Sequence, residues 1–189
     1  MTRKGVSTAA MLLGWLILAG VPLARPAISQ GKTSRDQAEK AIRLSIFETV
    51  KAFLTGDVQT FKRCSAQRTL SLVNLVYEAA REDPRFQQEL RNERITNADE
   101  FLPSFMQGMA NRYLEAARMP PEQAARRAAT DAVVSFTGNS EASIKVGDSE
   151  FARAKLVARQ WKIDLTDSLK KAVLNEVTNP EMRARIKSL

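Results

Sequence analysis

Asp131 and Tyr113 are the side chains in this sequence whose types suit general acid–base chemistry. A group in that role must be buried, shifted in pKa and within hydrogen-bond reach of a substrate. Each also has a plainer explanation. Asp131 opens a strand, where capping or turn formation accounts for it, and Tyr113 lies on an apolar helical stripe, where packing does. Histidine is absent, which removes histidine triads, histidine bases and nearly every zinc or iron site. The single cysteine, Cys64, can build neither a thiolate cluster nor an internal disulfide, and reads as a small buried hydrophobe near a helix end. Carboxylate, tyrosine, serine and lysine chemistry remain. No catalytic residue is assigned, enzymatic activity is not the favoured reading, and neither a metal nor a cofactor is expected.

Binding chemistry has more to work with. Ala152, Ala154 and Ala158 fall at inward positions on a strand, where small side chains either let a helix approach or leave room for a ligand. With Tyr113, Phe136 and Trp161 they form a candidate apolar pocket of the kind small-molecule sites use. On the opposite face of the same sheet Lys145, Arg153, Lys155 and Lys162 line up. That row is either a solvated surface or a docking face for an anionic lipid or partner.

The elements that must position these residues follow from the periodicity. Ile42, Ile46, Val50, Phe53 and Leu54 recur at helical spacing and predict a helix from Gln37 to Gly56. Asp57 caps a short helix carrying Val58, Phe61 and Cys64. A third helix covers about residues 69–82, and Asp83-Pro84 stops it and starts a brief one anchored by Phe86 and Leu90. Asn97, with Glu100 three positions on, predicts a capping box opening a longer helix to Ala117, with Pro103 in its first turns. Pro120-Pro121 ends that helix and opens another through Ala129.

The period then changes to two. Four strands over about residues 131–166 are joined by hairpin-length turns at 138–140, 147–149 and 159–160. The predicted register sets Phe136 opposite Ala142, Ile144 opposite Ala152, Leu156 opposite Ile163 and Ala158 opposite Trp161. It also makes Lys155 and Asp164 an exposed pair. A helix holding Leu169, Ala172 and Val173 follows, capped by Asp167 or Ser168. Residues 176–189 are a weakly amphipathic tail, docked or frayed. The fold class is α+β: N-terminal helices packed on a C-terminal four-stranded antiparallel meander, with a sheet that can curve into a cone.

Ahead of this domain, Arg3 and Lys4 precede an apolar run over residues 9–24. Ala27 and Ser29 then stand at the −3 and −1 positions of a signal-peptidase site. Sixteen helical residues reach only about 24 Å, short of a hydrocarbon core of about 30 Å. The expectation is a signal peptide over residues 1–29, a polar linker over 30–36, one domain over 37–175 and the tail after it. The protein is then exported to the periplasm or the extracellular space. The net charge of +8 falls to +5 when Arg3, Lys4 and Arg25 leave with the signal peptide. That charge is too diffuse to argue for nucleic-acid binding. Membrane contact is expected only through the leader or weakly through the basic face.

A helix ending in Gly56-Asp57, a short second helix and a late meander closing in Gln160-Trp161-Lys162-Ile163-Asp164 resemble the nuclear-transport-factor-2-like superfamily. The resemblance implies a curved antiparallel sheet wrapped around helices, with a pocket inside. It covers residues 37–175 and carries over no functional residue. The superfamily usually places an early strand where Thr69–Ala129 reads as helix, so either a short strand lies near Glu93–Thr96 or this is a different helix-on-sheet fold. The leading functional expectation is a non-catalytic exported module that binds an apolar small molecule or an envelope protein. A small cofactor-free enzyme using carboxylate and tyrosine stands second. A structural envelope protein docking through its basic sheet face stands third.

Overall fold

Amphipathic stripes and proline punctuation produce eight helices and four strands in a computed structural model that describes residues 27–189. The leader, residues 1–26 of the expected 1–29, lies outside the described residues. Helix α1 (Ala27–Thr55) takes in residues 30–36, expected as a linker; Gln30, Lys32 and Arg35 are good helix formers, and Gly31, Thr33, Ser34 and Asp36 are weaker ones. Then come α2 (Val58–Cys64), α3 (Gln67–Glu82), α4 (Pro84–Asn92), α5 (Ala98–Ala117) and α6 (Pro121–Asp131). Strands β1 (Ala132–Phe136), β2 (Glu141–Val146), β3 (Ser149–Val157) and β4 (Gln160–Asp164) precede α7 (Thr166–Val173) and α8 (Pro180–Ser188). Residues 36–189 pack as one unit. No described helix is long and apolar enough to cross a membrane.

The sheet is an open antiparallel meander in the order β1-β2-β3-β4. Phe136 pairs with Ala142 and Ile144 with Ala152, as the alternation predicts. A bulge between Ile144 and Lys145 leaves Phe151 as an extra residue on β3. The last hairpin differs by two residues. Ala154 faces Ile163 and Leu156 faces Trp161, because the turn is Ala158-Arg159. Both residues have positive φ, +50° and +65°, which a two-residue hairpin of the favoured hand requires even where no glycine is present. Ala158 is therefore an exposed turn residue and not an inward strand position. Parity survives a shift of two, so Trp161 stays on the inner face and Lys155 on the outer.

The outer face corrects a second expectation. Lys155 and Asp164 do not pair: Lys155 stands opposite Lys162 and binds Glu141 at 3.0 Å. Lys162 turns away to the Arg63 carbonyl, and this relieves the like-charge contact. Asp164 is buried. Its Oδ1 accepts from the Thr69 hydroxyl at 3.2 Å and from the Thr166 N–H at 2.9 Å, while Arg68 reaches Oδ2 at 3.4 Å. Asp164 thus serves the start of α7, where Asp167 or Ser168 was expected to cap, and the capping position itself falls to Leu165.

The core runs from Ile42 and Ile46 of α1 through Phe61, Leu72 and Met106 to Ile144 and Ile163 of the sheet, all under 2 % exposed. Arg43 ties α1 to the end of α6, donating to the Ala129 carbonyl at 2.7 Å. After α2 the chain runs alongside β4, where the Ala66 N–H bonds the Ile163 carbonyl at 2.9 Å and covers that edge. The C-terminal segment is docked, with Met182 and Ile186 of α8 in the same core. Residues Glu93–Thr96 form a turn and irregular chain with no strand.

Candidate functional site

Asp83-Pro84 is the point from which the candidate site opens. Asp83 ends α3 and caps α4, accepting the Arg85 N–H at 3.0 Å, and Pro84 fills the first helical position. Helix α4 therefore leaves α3 at an angle instead of continuing it. The return is made through Arg94, at φ +58°, and a capped start to α5. There Asn97 accepts the Glu100 N–H at 3.0 Å, while Glu100 reaches back to the Thr96 N–H at 2.7 Å. This is the predicted capping box with its return bond displaced by one residue. Pro103 is the sixth residue of α5, past the free N–H groups of the first turn, so the helix forgoes the bond that an N–H there would make to the Asp99 carbonyl.

The result is a cleft of about 620 Å³ between α3, α4, α5 and the connection from α7 to α8. Its walls are apolar, made by Val76, Ala79 and Ala80 of α3, Phe86 and Leu90 of α4, Phe101, Phe105 and Met109 of α5, and Val173 and Val177. An aromatic row runs beneath it, with ring centres 5.7 Å apart for Tyr77–Phe101 and 6.0 Å for Phe101–Phe105. Gly108 lines the cleft from α5, and a Cβ built there would meet no atom within 4 Å.

The rim is acidic. Glu82, Asp83, Glu89, Glu93 and Glu176 line it, against Arg112 as the single lining cation. Arg112 is held by Glu176 at 2.8 Å. Asp83 binds Arg85 at 2.6 Å and accepts the Thr178 hydroxyl. The Arg85 hydrogen bonds are the first cause that lowers its pKa to about 2. Glu82 accepts from the Asn179 amide and Glu93 from the Ser104 hydroxyl, each through one oxygen. Glu89 has no side-chain partner among the described residues. A smaller groove on the far side of Leu90 is lined by Tyr77, Arg81 and Arg91.

The residues singled out from the sequence lie elsewhere. Phe136 and Trp161 meet edge to face at 6.2 Å on the inner sheet face, with Ala152 and Ala154 buried beside them. Tyr113 is on α5, 49 % exposed and apart from that group. None of these five lines the cleft. Asp131 ends α6 and pairs with Arg127 at 3.2 Å on the surface. Of the basic row, Arg153 binds Glu150 and Lys155 binds Glu141, while Lys145 has no ion-pair partner among the described residues. Cys64 is buried with its thiol 3.4 Å from Glu48, and burial first, then that carboxylate, pushes its pKa up. Among the described residues no group of three or more acidic or cysteine side chains is placed to hold a metal.

Sequence reasoning identified Phe86 and Leu90 as anchors of α4 but not the site they line. The available signal was their i, i+4 spacing on the same helical side as Glu89 and Glu93, also i, i+4, an apolar stripe edged by two carboxylates. No protein-family model, curated protein or solved structure matches the chain.

Proposed function

We propose that the protein is a non-catalytic, exported binding module and that its ligand is an apolar small molecule held in the cleft between α3, α4 and α5. The observation that carries this reading is the cleft's form. About 620 Å³ of space is walled by aliphatic and aromatic side chains, and the charged side chains that line it are exposed or half-buried. Small-molecule sites fall at roughly 300–1,000 Å³ with that distribution of polarity. Asp83 at the mouth is poorly suited to act as a general acid, since Arg85 favours its ionised form and a general acid needs a pKa near the working pH. The proposed fold kinship with the nuclear-transport-factor-2-like superfamily is independent of this reading, because the cleft lies among helices and not between helices and sheet. Docking through the basic sheet face ranks lower, because Glu141 and Glu150 neutralise two of its four cations.

The test is titration with N-phenyl-1-naphthylamine, a neutral apolar fluorophore, using wild type and Gly108→Leu. The glycine faces open space and leucine favours helix, so the variant keeps its fold while its side chain projects into the cleft. Saturable fluorescence enhancement in wild type, lost in Gly108→Leu, supports the reading. Equal binding by both, or none by wild type, refutes it.

A further inference from the structure

We infer that the occupant of the cleft is a cationic amphiphile, an apolar body ending in an amine or quaternary ammonium head. The inference rests on the cleft being the ligand site and adds the charge of what it takes. The sign of the charge reverses locally at the cleft. The chain carries 29 basic and 21 acidic residues, so its long-range field favours anions. At this mouth the balance is opposite, five carboxylates to one arginine.

Pairing sharpens the asymmetry. Arg112 is neutralised by Glu176, and Arg85 by Asp83. Of the other arginines nearby, Arg81 and Arg91 line the smaller groove across Leu90, Arg183 is held by the Leu174 and Val177 carbonyls, and Arg94 follows Glu93 in the turn without an ion pair among the described residues. Glu82, Glu89 and Glu93 are left without a cation among the described residues. Glu82 and Glu93 each keep one oxygen free of the hydrogen bonds from Asn179 and Ser104, and Glu89 keeps both. Glu89 and Glu93, the latter capping the end of α4, are one turn apart and on the same side as Phe86 and Leu90. A ligand whose tail lies along Phe86 and Leu90 therefore brings its head to these carboxylates. An ammonium there gains attraction at the border of an apolar wall, where the effective dielectric is below that of water, whereas an anionic head is repelled.

Three dodecyl probes differing only in the head separate the possibilities: dodecyltrimethylammonium, dodecyl maltoside and dodecyl sulfate. Each is used below micelle formation to displace the neutral fluorophore from the full protein. The cationic probe should bind about tenfold more tightly than the neutral one at low salt, the scale of one to two partly screened charge contacts, with the anion weakest. High salt should compress the difference. Glu82→Gln/Glu89→Gln/Glu93→Gln should bring the cation to the level of the neutral probe and leave the maltoside unchanged, with melting curves as the folding control. If the maltoside binds and the cation is no tighter, or the sulfate is tightest, or the triple variant keeps the preference, the inference fails while the cleft reading stands. If neither the fluorophore nor the maltoside binds, both fail.

Discussion

Arg68 and Asp164, separated by 96 positions in the chain, meet at 3.4 Å where α3 passes the end of β4. By strand parity Asp164 belongs to the solvated face, yet its side chain is 5 % exposed. Arg68 also binds Asp167 at 3.1 Å and the Leu189 carbonyl at 2.7 Å, so one guanidinium joins α3, α7 and the end of the chain. Burial alone would raise the Asp164 pKa. The Thr166 hydrogen bonds and the Arg68 charge outweigh it and hold the carboxyl below its usual value.

Because the folded pKa is depressed, Asp164 contributes stability that is complete above the ordinary carboxylate pKa of about 4 and is lost as the pH falls through the folded value. Urea unfolding of wild type should weaken over that acid window, and Asp164→Asn should flatten this part of the profile. At neutral pH Asp164→Ala should lower stability by about 2 kcal/mol, since Thr69, Thr166 and Arg68 all lose an acceptor. An unchanged acid limb in Asp164→Asn would contradict the assignment.

The inner sheet face makes a separate prediction. Ala154 is fully buried between Ala142 and Ile163. Ala154→Phe should overpack this site and destabilise the domain by about 1–3 kcal/mol, measured by thermal or denaturant melts. A variant as stable as wild type would mean that unfilled space lies there.

The Ala158-Arg159 turn places two side-chain-bearing residues at positive φ, a conformation unfavourable by about 1–2 kcal/mol per residue. Ala158→Asn with Arg159→Gly should therefore raise stability by about 1 kcal/mol without changing the fold. A loss of stability would show that the hairpin turns elsewhere.

That turn also marks how much of the fold is legible in the sequence. The order of elements, the helix starts at Asp57, Pro84 and Asn97 and the inward face of the sheet follow from periodicity and caps. The last register does not, because Ala158-Arg159 contains no glycine or asparagine to announce positive φ. The burial of Asp164 is not legible either, because its partners Arg68 and Thr69 come from a helix far away in sequence. The candidate site escaped for a similar reason. Its walls are contributed by four separated segments, each of which reads alone as ordinary amphipathic helix, whereas alanines and aromatics on one meander give a local signal.

The cleft itself is tested most directly by amide chemical shifts of isotope-labelled protein on titration with the neutral fluorophore. A ligand in the cleft should give saturable shifts confined to the lining segments, residues 76–112 and 173–180, with Leu90, Phe101 and Met109 among the largest. Residues 132–164 should remain at their free positions. Shifts centred on Phe136, Ala154 and Trp161, with α4 unmoved, would place the ligand against the sheet and contradict the cleft reading.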